Sequence, residues 1–406
     1  MTKNLKKTIL LIVLAVIISV VILQIRLSSE SGLHGQPLPA GSSRLSELLS
    51  DQGLEGYAQV LESRDFVFPA DHGPHPDFRN EWWYVTGNLD SEGGARFGFE
   101  LTIFRFALMP DSTAFSGDES AWRSNHVYIG HFALTDADRK QFHVAQRYSR
   151  GSLGLAGAAT EPFRVWLDNW SIAATRSGGR SQDDYEFGMP WRLQARDGEI
   201  AVNLTLVPQK PPVLNGVNGL SKKAAMEGNA SYYYSITRLQ TEGTLQIGDD
   251  EFRVSGLSWL DREWGSGALS NEQEGWDWYA LQLSDGSDLM FYKLRRRDGS
   301  QDIHSAGTLT LANGSTVDLS ADDLIIEVSD SWQSPHGGRY PIAWQIAVPE
   351  YELSLTIDPI LDAQELVTTV RYWEGAVDVS GKRGETSITG RGYVELTGYA
   401  GSDGLP

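Results

Sequence analysis

The chain has no cysteine among its 406 residues. That absence excludes a disulfide framework, a thiolate metal cage, a cysteine nucleophile and lipidation at a cysteine, so stability must come from burial alone. Positive charge is also scarce. The formal net charge is -19, and no Lys/Arg stripe follows the first thirty residues, which excludes nucleic acid as a partner because its phosphates demand one. No G-x-S-x-G elbow, phosphate-binding loop or dinucleotide glycine fingerprint occurs, and no motif implies a cofactor. Segments of helical period are nearly missing beyond residue 65.

What is present begins with "MTKNLKKTILLIVLAVIISVVILQIRLSSE". Lys3, Lys6 and Lys7 precede an uncharged apolar run, Thr8 to Ile25, that as a helix would span roughly 27 Å, enough to cross a hydrocarbon core. No small-x-small cleavage site follows it. Residues 1–30 therefore read as an uncleaved signal anchor with its lysines in the cytoplasm, leaving the body on the periplasmic side of a bacterial inner membrane. Residues 31–64 read as a stalk followed by a short amphipathic helix within Arg44–Leu61.

From there the sequence is a series of short alternating runs such as "GARFGFELTIFRF", "SNHVYIGHFALTD" and "GWDWYALQL", separated by turn signals. Such strands build antiparallel barrels or sandwiches, and the fold expected is all-β. "EWWYVTGNL…GARFGFELTIFR" is echoed by "GWDWYALQL…SDLMFYKLRR", which points to two similar β-barrel domains, 65–245 and 246–406. Gln209–Ala230 is the longest irregular stretch between strands and is a candidate cover for a pocket mouth.

Alternation assigns faces. Glu81, Trp83, Val85, Gly87 and Leu89 share one face, and Trp82, Tyr84, Thr86 and Asn88 the other. A hairpin pairing Leu89 with Phe97 would set Glu81 opposite Arg105, either as a salt bridge that fixes register or as a polar anchor at a pocket mouth. Asp277 and Arg295 repeat the acid-then-arginine pattern, although Leu289/Phe291 and Met290/Tyr292 are equally plausible inward pairs. "GLSWLDREWGSG" packs Asp261, Arg262, Glu263 and Trp264 together, as a charged turn or as carboxyls made acidic donors by an aromatic setting. His72 and His75 are separated by Gly73 and Pro74, which deny them helical ligand spacing, and belong to a loop rim. His126 and His131 face opposite sides of one strand, so no metal is expected. His131 reads as a hydrogen-bonded core residue.

"FPADHGPHPDFRNEWWYVTGNL", "GFELTIFR", "PPVLNGVNGLS", "SYYYS", "GLSWLDREWGS", "GWDWYALQL", "YWEGAVDVSG" and "GYVELTGY", taken in order, resemble the lipocalin-like family of predicted secreted hydrolases that includes bacterial carotenoid 1,2-hydratases. The resemblance covers about residues 65 to 400. It implies two packed lipocalin-like barrels and distant kinship with fungal enzymes that bind linear polyenes. Where the hydratases carry a His-x-Trp, this chain has Arg262-Glu263-Trp264, and an arginine cannot donate a proton at neutral pH. Asp277, Tyr279 and Tyr292 lie in the region that supplies an acid and a tyrosine in hydratases.

The function expected is therefore an exported, membrane-anchored protein that binds an apolar or amphipathic isoprenoid, polyene or lipid, with hydratase- or cyclase-like acid–base activity as its enzymatic version. An accessory subunit of a membrane transporter is the alternative. Asp277, Glu263, Asp261 and Tyr279 are the catalytic candidates. Glu81, Trp83, Tyr84, Arg105, His131, Arg262, Trp264, Trp276, Trp278 and Tyr292 are the ligand-binding candidates.

Overall fold

The structure, a computed structural model, describes residues 54–110, 123–175, 186–267, 269–270 and 272–400. The anchor Thr8–Ile25, the stalk and the start of the expected short helix lie outside them. From Leu54 the chain forms turns and a β-bridge from Val60 to Gly228 in place of helix. Among the described residues no helix is long and apolar enough to cross a membrane.

The described chain folds into two curled antiparallel sheets. The first runs in spatial order from Gln141–Arg150 through His126–Asp136, Arg96–Ala107, Asn80–Ser91, Asp250–Gly267, Ala230–Ile247, Ile200–Pro208, Trp191–Asp197, Trp170–Ala174 and Phe163–Leu167 to Ala156–Thr160. Two short strands inside the 209–230 connection, Val213–Leu214 and Leu220–Lys222, add to Ala230–Ile247. The second sheet orders Thr316–Ser320, Ala306–Thr310, Asp288–Arg296, Gln273–Leu283, Thr386–Leu396, Arg371–Arg383, Leu353–Pro359, Arg339–Val348 and Ile325–Gln333. Glu365–Val367 pairs with Arg371–Arg383. The chain thus passes from one sheet to the other between Gly267 and Gln273, not at 245/246. Gly248 and Asp249 are the turn of a hairpin within the first sheet.

The hairpin register expected from alternation is present: Leu89 lies opposite Phe97 and Glu81 opposite Arg105. Each sheet curls around its own apolar interior. Trp83, Val85, Leu89, Phe97, Phe99 and Trp264 belong to the first core, and Tyr279, Leu281, Phe291, Trp344 and Trp373 to the second. A third buried cluster, including Tyr84, Tyr233, Trp259, Trp278, Met290 and Tyr393, joins the outer faces of the two sheets. Gly98 permits this approach, since a Cβ there would stand 2.6 Å from Ala376 Cβ. Asn88 Nδ2 donates across the contact to the Gly392 carbonyl at 2.9 Å. Both faces of the central strands are thus covered, which is why they read as nearly continuous apolar and aromatic runs.

Candidate active site

The period-2 alternation of these strands sorts the candidates into three places. The first is the end of the first barrel. Glu81 is fully buried and its two oxygens pair with Arg105 and Arg262. The His75 backbone N–H donates to both at 3.1 and 3.2 Å. Burial alone would raise this carboxyl, but the two guanidiniums hold it well below the usual carboxylate range. Arg262 lies 3.9 Å over the Trp83 ring and donates to the Gly73 carbonyl at 2.6 Å. The His75 ring stacks on Trp264 at 3.8 Å. Glu81, Trp83, Arg105, Arg262 and Trp264 thus form the closed end of a core and line no part of the cavity described below. His72 is a correction: it is not on a rim but buried, with its ring nitrogens at the Tyr234 hydroxyl and, at 2.7 Å, the Phe187 carbonyl. Burial lowers its pKa to about 4.

The second place is the interior of the second barrel. Asp277 accepts from Arg295 Nε at 2.9 Å and from the Tyr399 hydroxyl at 3.0 Å, so the acid-then-arginine pattern is here an internal ion pair. Tyr279 packs edge-on to Trp344 with ring centroids 5.4 Å apart. His131 stands elsewhere, buried between the sheets. Its ring nitrogens face the Tyr372 hydroxyl and, at 2.9 Å, the Gln146 amide.

The third place is a pocket between the sheets, partly open to solvent and lined mainly by apolar atoms, with room for water-sized molecules of about 70 Å³ and about 740 Å³ of empty space when its open mouth is counted. Trp82, Tyr84, Phe104, Tyr233, Trp276, Trp278 and Tyr292 supply aromatic walls, with Leu269 and Leu294. Four carboxyls line it: Asp261, Glu263, Glu374 and Glu395. From the candidate set it gathers Tyr84, Asp261, Glu263, Trp276, Trp278 and Tyr292, all on strand faces turned away from the barrel interiors.

Glu374 and Glu395 lie opposite one another on paired strands. Burial pushes Glu374 well above the usual carboxylate range, helped by the charges of Glu395 and Glu100. Burial likewise lifts Glu395 to about 8, against a hydrogen bond from Trp276 and with help from Asp261 and Glu263. Tyr84 donates to Glu374 Oε2 at 2.9 Å. Asp261 is raised to about 7 by burial, although Ser235, Tyr233 and Trp259 all donate to it. Trp278 Nε1 donates in turn to the Tyr233 hydroxyl at 3.1 Å, so the Tyr233 proton points to Asp261. Glu263 instead pairs with Lys223 Nζ at 3.1 Å and accepts from Ser231.

Such a site holds protonated carboxyls beside carboxylate-capable ones near neutral pH, the requirement for acid and base steps on one substrate. The ring faces around them stabilise a developing cation. Among the described residues no three His, Cys, Asp or Glu side chains converge as metal ligands. Sequence reasoning missed Lys223, Tyr233, Glu374 and Glu395. The last three stand inside "SYYYS", "YWEGAVDVSG" and "GYVELTGY", and Lys223 lies in the long connection singled out as a mouth cover.

Fold and site together define a two-sheet, all-β protein with an acid-lined aromatic cavity between its barrels. The AttH-like family pattern matches residues 59–399. The solved structure of an AttH protein from Nitrosomonas europaea is 32% identical, with a TM-score of 0.73 over 84% of this chain and 99% of that one. Kievitone hydratase from Nectria haematococca shares the fold at 15% identity, TM-score 0.61, over 84% of this chain and 96% of that one. Dehydratase asqC of Emericella nidulans is 26% identical over an alignment of 234 positions that covers 54% of this chain and 63% of that protein, less than two thirds of its length. The chain belongs to the AttH-like family, lipocalin-like and carotenoid-hydratase-related.

Proposed function

We propose that the protein is a hydratase or dehydratase acting on an apolar or amphipathic molecule, of isoprenoid, polyene or lipid type, held in the cavity between the sheets. The observation that carries this reading is the pair of buried carboxyls, Glu374 and Glu395, kept protonated among aromatic faces. In the dehydration direction one of them gives its proton to the substrate hydroxyl. The C–O bond breaks with its electron pair leaving as water, and Trp278, Tyr84 and Trp276 face the cationic carbon. The Asp261–Tyr233 pair then takes a proton from the adjacent carbon, whose C–H electrons form the double bond. Hydration is the reverse, with protons conserved in both directions. The similarity to dehydratase asqC and the fold shared with kievitone hydratase support this assignment.

The test is incubation of the purified chain with a panel of hydroxylated and unsaturated polyenes and isoprenoids, following gain or loss of one water by mass. Turnover that vanishes in Glu374→Gln and Glu395→Gln supports the reading. Turnover intact in the double variant, or none with any substrate, contradicts it, and recovery with a transporter subunit in place of turnover favours the accessory role.

We further infer a single-pass anchor with the body outside the cytoplasm, supported by Lys3, Lys6 and Lys7 before the apolar Thr8–Ile25 run. Resistance to alkaline extraction, with protease access to the body only from the outer side, is the expected result. Release by alkali contradicts it.

A further inference from the structure

The polar groups of the cavity divide between two ends. Strand pairing sets Glu374, Glu395, Trp278 and Tyr292 side by side in one row across the second sheet. Neighbouring strands lie about 4.8 Å apart, which places Tyr292 about 10 Å from Glu395 and about 14 Å from Glu374 along that row. The Tyr84 hydroxyl covers the Glu374 end. Ser221 Oγ lies 2.7 Å from the Tyr292 hydroxyl at the other.

Lys223 stands at the Tyr292 end. Its Nζ is 4.0 Å from the centroid of the Tyr292 ring and 5.1 Å from that of Tyr233. It is the sole cation among the described residues that line the cavity, and the residue is 8% exposed. Gln273 Nε2 donates to its backbone carbonyl at 2.7 Å, which fixes this part of the connection. An ammonium has three N–H donors. Glu263 Oε1, 3.1 Å away and already accepting from Ser231, takes one direction, and the two ring faces attract the charge without offering an oxygen. A buried ammonium paired with one carboxylate, Glu263, has donors to spare and suits an anionic or strongly polarised oxygen on a ligand.

We propose that Lys223 is a specificity-determining residue that binds a carboxylate, enolate or carbonyl oxygen of the substrate at the Tyr292 end of the cavity, away from the Glu374 end. The substrate class is then an elongated amphipathic molecule with an apolar, unsaturated body and one acidic or carbonyl oxygen at its far end. This rests on the cavity being the substrate site of the proposed hydratase.

The test measures binding of trans-parinaric acid and its methyl ester by polyene fluorescence, with wild type, Lys223→Met and Lys223→Arg. Wild type is expected to favour the acid by about tenfold or more, as a charge-assisted hydrogen bond implies. Lys223→Met should bind both alike at the affinity of the ester, and Lys223→Arg should restore a preference for the acid. A merely structural Lys223–Glu263 pair would lower the melting temperature of Lys223→Met and leave the ratio of acid to ester unchanged, which overturns the proposal. No preference in wild type, or no binding of either probe, overturns it as well. A clear acid preference with no turnover of any substrate would sink the hydratase reading alone.

Discussion

Two sets of buried glutamates in this molecule differ in charge, one ionised and the other neutral. Glu81 at the end of the first barrel has a guanidinium on each oxygen and stays ionised. Glu374 and Glu395, in the cavity between the sheets, face each other, a tyrosine hydroxyl and indole rings, and hold their protons. Burial pushes all three upward, so burial does not explain the difference; the neighbouring guanidiniums do. The same residue type becomes a structural anion where arginine reaches it and an acid where arginine does not. Aromatic surroundings alone would not separate the two, since Trp83 and Trp264 flank the first cluster as Trp278 flanks the second.

The largest expected effect that would break this comparison is Glu81→Gln. It leaves two guanidiniums buried without their counter-charge and should cost about 3–5 kcal/mol, measured by denaturant unfolding. If stability is unchanged, the ionised assignment is wrong. Glu395→Gln is the converse. It replaces an acid already neutral, so at pH 6 stability should move by less than about 1 kcal/mol, while turnover falls by roughly 10²–10⁴-fold. A large stability loss at pH 6 with full activity would reverse the two roles.

The pH dependence sharpens the contrast. A carboxyl raised from its ordinary value to about 8, as at Glu395, is bound by its proton more tightly in the folded state. Its stabilisation is complete below the unfolded value, near 4.5, and is lost as pH rises through about 8. Asp71 runs the other way. Burial opposes the shift, but hydrogen bonds from His75 and Arg64 hold its pKa at about 2, so its contribution is present above the unfolded value and lost as pH falls through about 2. Thermal melts from pH 5 to 9 should show the alkaline loss in wild type and a flatter profile in Glu374→Gln/Glu395→Gln. Turnover should be bell-shaped between about 7, set by Asp261 as base, and about 8, set by Glu395 as acid. The smallest effect is Tyr84→Phe. It removes one donor to Glu374 and should cost about 1 kcal/mol, measured by denaturant unfolding.

Much of the fold was legible because period-2 alternation and a short turn determine the partner of each residue in a hairpin. Leu89 with Phe97 and Glu81 with Arg105 follow from that alone. Arg262 as second partner of Glu81 does not, since Asn80–Ser91 pairs with Asp250–Gly267 across some 160 intervening residues, with no local rule for register. The site candidates were spread over both faces for a related reason. Alternation separates Trp82 and Tyr84 from Glu81 and Trp83 but does not say which set looks into a barrel and which toward a second sheet when both faces are covered. Asp277 and Trp278 present the same ambiguity: the acid went inward to Arg295 and the indole outward to the cavity. Glu374 and Glu395 left almost no signal, because a single glutamate in an aromatic strand looks like any solvent-facing residue until its paired strand places a second one opposite.

The central claim is that the cavity carboxyls are protonated near neutral pH. Infrared spectroscopy of the carboxylic acid C=O stretch tests it most directly. At pH 7 wild type should show a band that weakens in Glu374→Gln and again in Glu374→Gln/Glu395→Gln, and whose Glu395 part titrates away as pH rises through about 8. Absence of any protonated-carboxyl band above pH 6 would contradict it.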